Sequence, residues 1–114
     1  MYETYKDQAE FYLVYMREAH SSDVSNRSGG KFVEQPKSYE ERCQVAREFV
    51  KEVNLAIPTL VDSFDNKAGN DWSARPDRIF VIGKDGKIFY KAERGPRGFK
   101  PDEAAAALKK MLGN

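Results

Sequence analysis

Residues 11 to 20 read FYLVYMREAH, Phe11-Tyr12-Leu13-Val14-Tyr15-Met16-Arg17-Glu18-Ala19-His20, and the rest of the chain is arranged around them. Apolar residues run unbroken from Phe11 to Met16. That is the length of one strand buried on both faces. Arg17, Glu18 and the only histidine, His20, follow within four positions. Ligands of open parallel sheets bind beyond the carboxyl ends of strands. The polar cluster is therefore either a site or an ordinary solvated turn leading into a helix.

Outward from this stretch, the N-terminal residues Met1 to Glu10 are polar, with Tyr2 and Tyr5 three apart, as in the last turns of a helix. Downstream, Ser21 to Lys37 is a long polar tract centred on Ser25-Asn26-Arg27-Ser28-Gly29-Gly30, a loop by composition. Ser38-Tyr39-Glu40-Glu41 has the form of a capping box, so a helix is expected to follow to about Val53, with Asn54 as its stop. Cys43, Ala46, Val50 and Val53 share one face of it. The sole cysteine thus reads as a small buried hydrophobe or as a redox thiol. Leu55 to Asp62 is a short strand entered through Ile57-Pro58-Thr59, and Ser63 to Trp72 is loop with one helical turn.

Arg78-Ile79-Phe80-Val81-Ile82 is a second buried strand, and Asp85-Gly86 turns it into an antiparallel return at Ile88-Phe89-Tyr90. Arg94-Gly95-Pro96-Arg97-Gly98 is a stiff turn. Pro101-Asp102-Glu103 then opens a helix that carries Lys109-Lys110 near its end, the polarity the helix dipole favours. Ala104, Leu108 and Leu112 form its apolar face, and Gly113 ends it. With Leu55–Trp72 set aside as an insertion, the order is a helix tail, βα, then ββα. The fold class expected is α/β in a single domain, residues 1–114.

The 114 residues are 40% hydrophobic and 32% charged, with 19 basic and 18 acidic side chains and a net charge of +1. That balance gives no reason to expect nucleic acid as a partner. No apolar run reaches the length of a membrane span. One cysteine makes no internal disulfide, and one cysteine with one histidine makes no four-ligand zinc site, so no metal is expected. A reducing, cytoplasmic setting is the expectation.

Five segments, in order, resemble the iodothyronine deiodinases, selenoenzymes on a thioredoxin-like fold. Leu13-Val14-Tyr15-Met16-Arg17-Glu18-Ala19-His20 is similar to the family's Leu-Val-Tyr-Ile-x-Glu-Ala-His signature. Glu41-Arg42-Cys43 resembles its Glu/Asp-Asp/Glu-Arg-Cys. Val61-Asp62 with Asp65-Asn66-Lys67-Ala68 resembles Val-x-Asp-x-Met-Asp-Asn-x-Ala. Asp77-Arg78-Ile79-Phe80-Val81-Ile82 resembles Glu-Arg-Val/Leu-Tyr-Val-Ile, and Arg94-Gly95-Pro96-Arg97-Gly98-Phe99 resembles Gly-Arg/Lys-Gly-Pro-x-x-Tyr. The resemblance implies a thioredoxin-like fold, N-terminally truncated: the first strand and most of the first helix are missing, and the chain ends in the ββα hairpin and helix. It implies oxidoreductase chemistry, in which a selenocysteine or cysteine between the first strand and first helix attacks iodine on an aromatic ring. Tyr15, Glu18 and His20 match residues lining that site, with His20 and Glu18 moving protons. Arg78 matches the arginine that holds the anionic end of the substrate, and Cys43 is a candidate resolving thiol.

The resemblance further implies no bound cofactor, a thiol reductant as co-substrate and a small aromatic or anionic substrate. The nucleophile itself has no counterpart in the chain. A second family histidine falls at Pro36, and Pro-Ser-Asp-Gly-Trp is replaced by Ser21-Ser22-Asp23-Val24-Ser25. One reading is that Met1 follows a selenocysteine codon, UGA, taken for a stop. Because the absent strand lies centrally in thioredoxin-like sheets, the chain alone is expected to be marginal, partly molten or a homodimer. Two alternatives stay open. A peroxiredoxin-like thiol peroxidase also carries an arginine ahead of such a strand, and a non-catalytic thioredoxin-like binding or assembly fragment needs no nucleophile.

Overall fold

The computed structural model describes residues 1–17 and 35–113. In chain order it contains α1 (Tyr2–Tyr5), β1 (Leu13–Tyr15), α2 (Tyr39–Val53), β2 (Thr59–Val61), α3 (Lys67–Asp71), β3 (Phe80–Ile82), β4 (Ile88–Lys91) and α4 (Pro101–Met111). The class is α/β, and the elements group into two units: residues 11–73, and residues 1–10 with 74–114. Glu18, His20 and the polar loop beyond them lie outside the described residues. No helix among the described residues is long and apolar enough to cross a membrane.

In the unit of residues 11–73, β1 and β2 pair in parallel, Leu13 with Thr59, Val14 with Leu60 and Tyr15 with Val61. The Leu13 N–H donates to the Pro58 carbonyl at 3.0 Å, and the Asp62 N–H donates to the Tyr15 carbonyl at 2.8 Å. Parallel strands need a crossover, and α2 lies within it. The segment 55–72, set aside above as an insertion, therefore supplies the partner strand of β1. Nor is β1 buried on both faces. Leu13 and Tyr15 are half-buried, whereas Val14 is 41% exposed and its partner Leu60 is 51% exposed. An unbroken apolar run conceals which of its two faces has a neighbour, and here α2 packs on the sheet from one side only.

The capping box holds α2 as its sequence requires. Ser38 is extended (φ −154°), and its Oγ accepts the Glu41 N–H at 3.1 Å. The Glu41 carboxylate reaches back one residue further than the usual box, to the Lys37 N–H. Asn54 in the left-handed region (φ 52°) ends the helix, its N–H turned back to the Lys51 and Val50 carbonyls.

In the other unit, β3 and β4 are antiparallel, Phe80 with Lys91, Val81 with Tyr90 and Ile82 with Ile88, with a bulge between Val81 and Ile82. The turn is wider than a two-residue one. Gly83 N–H donates to the Lys87 carbonyl at 2.9 Å, and Gly86 takes φ 80° inside it. α4 starts at Pro101 and lays Ala104 and Leu108, 0% and 4% exposed, against the hairpin, where Val81 is also buried. The other side of the hairpin leaves Ile82 and Ile88 48% and 50% exposed. The turn after β4 is tightly closed. Gly95 N–H donates to the Asp77 carbonyl at 2.8 Å, and Gly98 N–H donates to Arg94 at 3.1 Å.

Two substitutions test this account. Ser38→Ala removes the side-chain cap of α2 and is expected to cost about 1 kcal/mol in urea unfolding; an unchanged midpoint would contradict the capping role. A Cβ at Gly98 would come within 2.2 Å of the Glu93 carbonyl oxygen, which is backbone and cannot step aside. Gly98→Ala should therefore cost roughly 1–3 kcal/mol, and exchange protection of the 92–99 amides should fall with it.

Candidate functional site

The candidate residues are distributed between the two units. Tyr15 closes β1, and its ring lies 6.2 Å from that of Phe49 on α2 at an interplanar angle of 44°. Cys43 is a free, half-buried thiol on the same helix. Tyr39, one turn earlier, pairs with it, and that pairing raises the pKa of the phenol. Tyr15 and Cys43 thus share one strand-and-helix layer. Arg78 belongs to the other unit, just before β3. Its Nε donates to the Ala92 carbonyl at 2.6 Å, and its guanidinium carbon sits 5.5 Å from the centroid of the Phe80 ring. The arginine is held by the hairpin at the point where β4 leaves it. Glu18 and His20 fall outside the described residues.

A polar centre that composition and spacing did not announce lies under the turn after β2. Arg42 is 3% exposed and Asp62 is 4% exposed. From α2, Arg42 Nη1 donates to the Ser63 carbonyl at 2.7 Å and to the Asp62 carbonyl at 3.3 Å, while Nη2 donates to Asn66 Oδ1 at 2.9 Å. Its guanidinium also lies 5.6 Å from the Phe64 ring centroid. The Asp62 carboxylate accepts the Ala68 and Gly69 N–H groups at 2.9 and 2.8 Å, closing the first turn of α3. Buried charge is tolerated where it is hydrogen-bonded in this way. The planar five-donor fork of arginine reaches three acceptors that a lysine ammonium on a flexible stem would not span together. Asp62 is also the residue whose N–H fixes the Tyr15 carbonyl, so this centre sets the end of β1. Both residues stood within segments matched to the family, but a one-dimensional pattern does not show that two polar side chains are buried against one turn.

The described elements define the class as an α/β protein, with Tyr15 at the end of β1 in one unit and Arg78 before β3 in the other. The comparisons place it more narrowly. The family model for iodothyronine deiodinase matches residues 1–112. Type I iodothyronine deiodinase of Xenopus laevis is 29% identical over 102 residues, 90% of this chain and 40% of that protein. Thyroxine 5-deiodinase of Gallus gallus is 33% identical over 98 residues, 85% of this chain and 37% of its own. Type II iodothyronine deiodinase of Petromyzon marinus is 30% identical over 105 residues, 90% and 36% respectively. The chain belongs to the iodothyronine deiodinase family. It spans two fifths or less of the length of these relatives.

Arg42→Ala would strand three buried or part-buried acceptors at once. The expected loss is about 3 kcal/mol of stability in urea unfolding. Arg42→Lys should recover part of it. A change below about 1 kcal/mol for Arg42→Ala would show that water takes over the acceptors and that the centre carries little.

Proposed function

We propose that this chain supplies the acid–base and substrate-holding half of a deiodinase-like oxidoreductase of thioredoxin-like fold, whose selenocysteine or cysteine nucleophile lies on residues outside 1–114. The observation that carries the reading is the family match over residues 1–112, the stretch within which Tyr15, Glu18, His20 and Arg78 lie. In this reading His20 donates or accepts the proton, because an imidazole titrates near neutrality. Glu18 and Tyr15 assist it, Arg78 binds an anionic group, and Cys43 resolves the oxidised nucleophile. No bound cofactor takes part. A small aromatic or anionic molecule is the substrate, a thiol is the reductant, and the setting is cytoplasmic.

The sheets support the same reading. Each has only two strands among the described residues, and each leaves apolar side chains outward on the face away from its helix. Pairs of strands are marginal alone, and sheets gain stability by adding strands. A central strand from outside residues 1–114, pairing with β1 and β3, would complete the thioredoxin-like sheet.

The test compares two proteins under dithiothreitol, with an iodothyronine or with peroxide. The 114-residue chain is expected to release no iodide. A chain extended by the in-frame upstream sequence, with its selenocysteine replaced by cysteine where needed, is expected to release it, and His20→Ala in that longer chain should lower the rate about 10²-fold or more. Iodide release by the short chain would refute the assignment of the nucleophile. Peroxide consumption without deiodination by the long chain would favour the peroxidase alternative.

A further inference from the structure

We propose that Arg42 and Asp62 are positioning residues for the Tyr15 hydroxyl, and that this is why two charged side chains are buried under the turn after β2. The proposal rests on the assisting role given to Tyr15 above.

β1 and β2 run parallel, so Tyr15 and Val61 close them side by side at one edge of the sheet. Parallel sheets bind their ligands beyond that edge. Asp62 is the next residue after β2, and its polar groups are all committed there. Its N–H donates to the Tyr15 carbonyl at 2.8 Å. Its carbonyl accepts from Arg42 Nη1 at 3.3 Å. Its carboxylate accepts the Ala68 and Gly69 N–H groups at 2.9 and 2.8 Å. Held by carbonyl and carboxylate together, the Asp62 backbone has little room to turn its N–H away from Tyr15.

The Tyr15 ring is held from a second side. It lies 6.2 Å from the ring of Phe49, at an interplanar angle of 44°. Residues 42 and 49 are two turns apart on α2 and so share a face of it. Arg42 therefore ties the helix that carries Phe49 to the residue that grips the Tyr15 backbone. Tyr15 is clamped at two points, main chain and ring, and Arg42 joins the two. At 3% and 4% exposure, Arg42 and Asp62 are themselves withdrawn from any ligand and act through Tyr15. Burying charge gains little stability over well-packed apolar side chains. What a satisfied polar network adds is one fixed geometry, and a hydroxyl that must meet a reacting atom needs it.

Two measurements read this. In the 114-residue chain, NMR measures the coupling through the hydrogen bond from the Asp62 N–H to the Tyr15 carbonyl. It is expected to weaken in Asp62→Asn and in Arg42→Lys. It should keep its wild-type value in Asp71→Asn, an exposed α3 residue paired with Lys67. Turnover of thyroxine, or of hydrogen peroxide, is then followed under dithiothreitol in the chain extended by its in-frame upstream sequence. Asp62→Asn and Arg42→Lys are expected to lower kcat about tenfold with KM unchanged. Combined with Tyr15→Phe, the same substitutions should change kcat less than about twofold, because the group they position is gone. Loss of folded protein would instead cut the rate by the same factor in both backgrounds. Arg42→Lys keeps the charge and serves if Asp62→Asn does not fold. An unweakened coupling, an unchanged kcat, or equal factors with and without Tyr15→Phe would each overturn the proposal. An extended wild-type chain that turns over neither substrate would refute the assigned activity itself, and the proposal with it.

Discussion

One helix face laid on one pair of strands is the contact on which this structure depends, and it occurs twice. A two-stranded sheet does not sustain itself in water. β1 and β2 are held by α2, which turns Ala46 inward, and β3 and β4 are held by α4, which turns Ala104 and Leu108 inward. Alanine at these positions lets the helix approach closely, so burial per residue is small but nearly complete. The sheet residues under each helix are half-buried or buried, while the opposite face stays open.

Such thin layers leave little apolar surface to define the loops, and polar chemistry takes that role. Arg42 and Asp62, themselves almost fully buried, fix the turn between β2 and α3 through five hydrogen bonds to four other residues and to Asp62's own carbonyl. Removing water raises the cost of leaving any one of these groups unpaired, and so makes the arrangement specific. Because the Asp62 N–H bonds Tyr15, the register at the end of β1 is tied to the same turn. Around β3 the equivalent function falls to Arg78, whose Nε closes on Ala92. In both units an arginine stitched to backbone carbonyls defines where a strand ends.

The local signals were those best read from residues alone. Ser38 and Glu41 announced α2, Asn54 its stop, Asp85-Gly86 the hairpin, and Pro101 with its following acids α4; each depends on chemistry within a few positions. What escaped depended on distant partners. The run from Phe11 to Met16 gave the strand but not its open face, since periodicity does not reveal which side has cover. Leu55–Asp62 gave a strand but not its place beside β1, because parallel pairing is made across a crossover with no local mark. Of the candidate site, Tyr15, Cys43 and Arg78 were singled out by resemblance to one family, whereas the burial of Arg42 and Asp62 was visible only in three dimensions.

The outward faces bear on what kind of object this is. A sheet face that meets water ordinarily alternates to polar residues. Here Val14 faces outward opposite Leu60, and Ile82 opposite Ile88, with exposures between 41% and 51%. Single apolar side chains on a surface carry no message, but cross-strand pairs of branched ones on both sheets do. Branched residues are the composition of strands that have neighbours and cover. The relatives from frog, chicken and lamprey are all more than twice as long as the region they share with this chain. Cross-strand pairs of branched side chains thus give each two-stranded sheet an apolar outer face in addition to the face its helix covers.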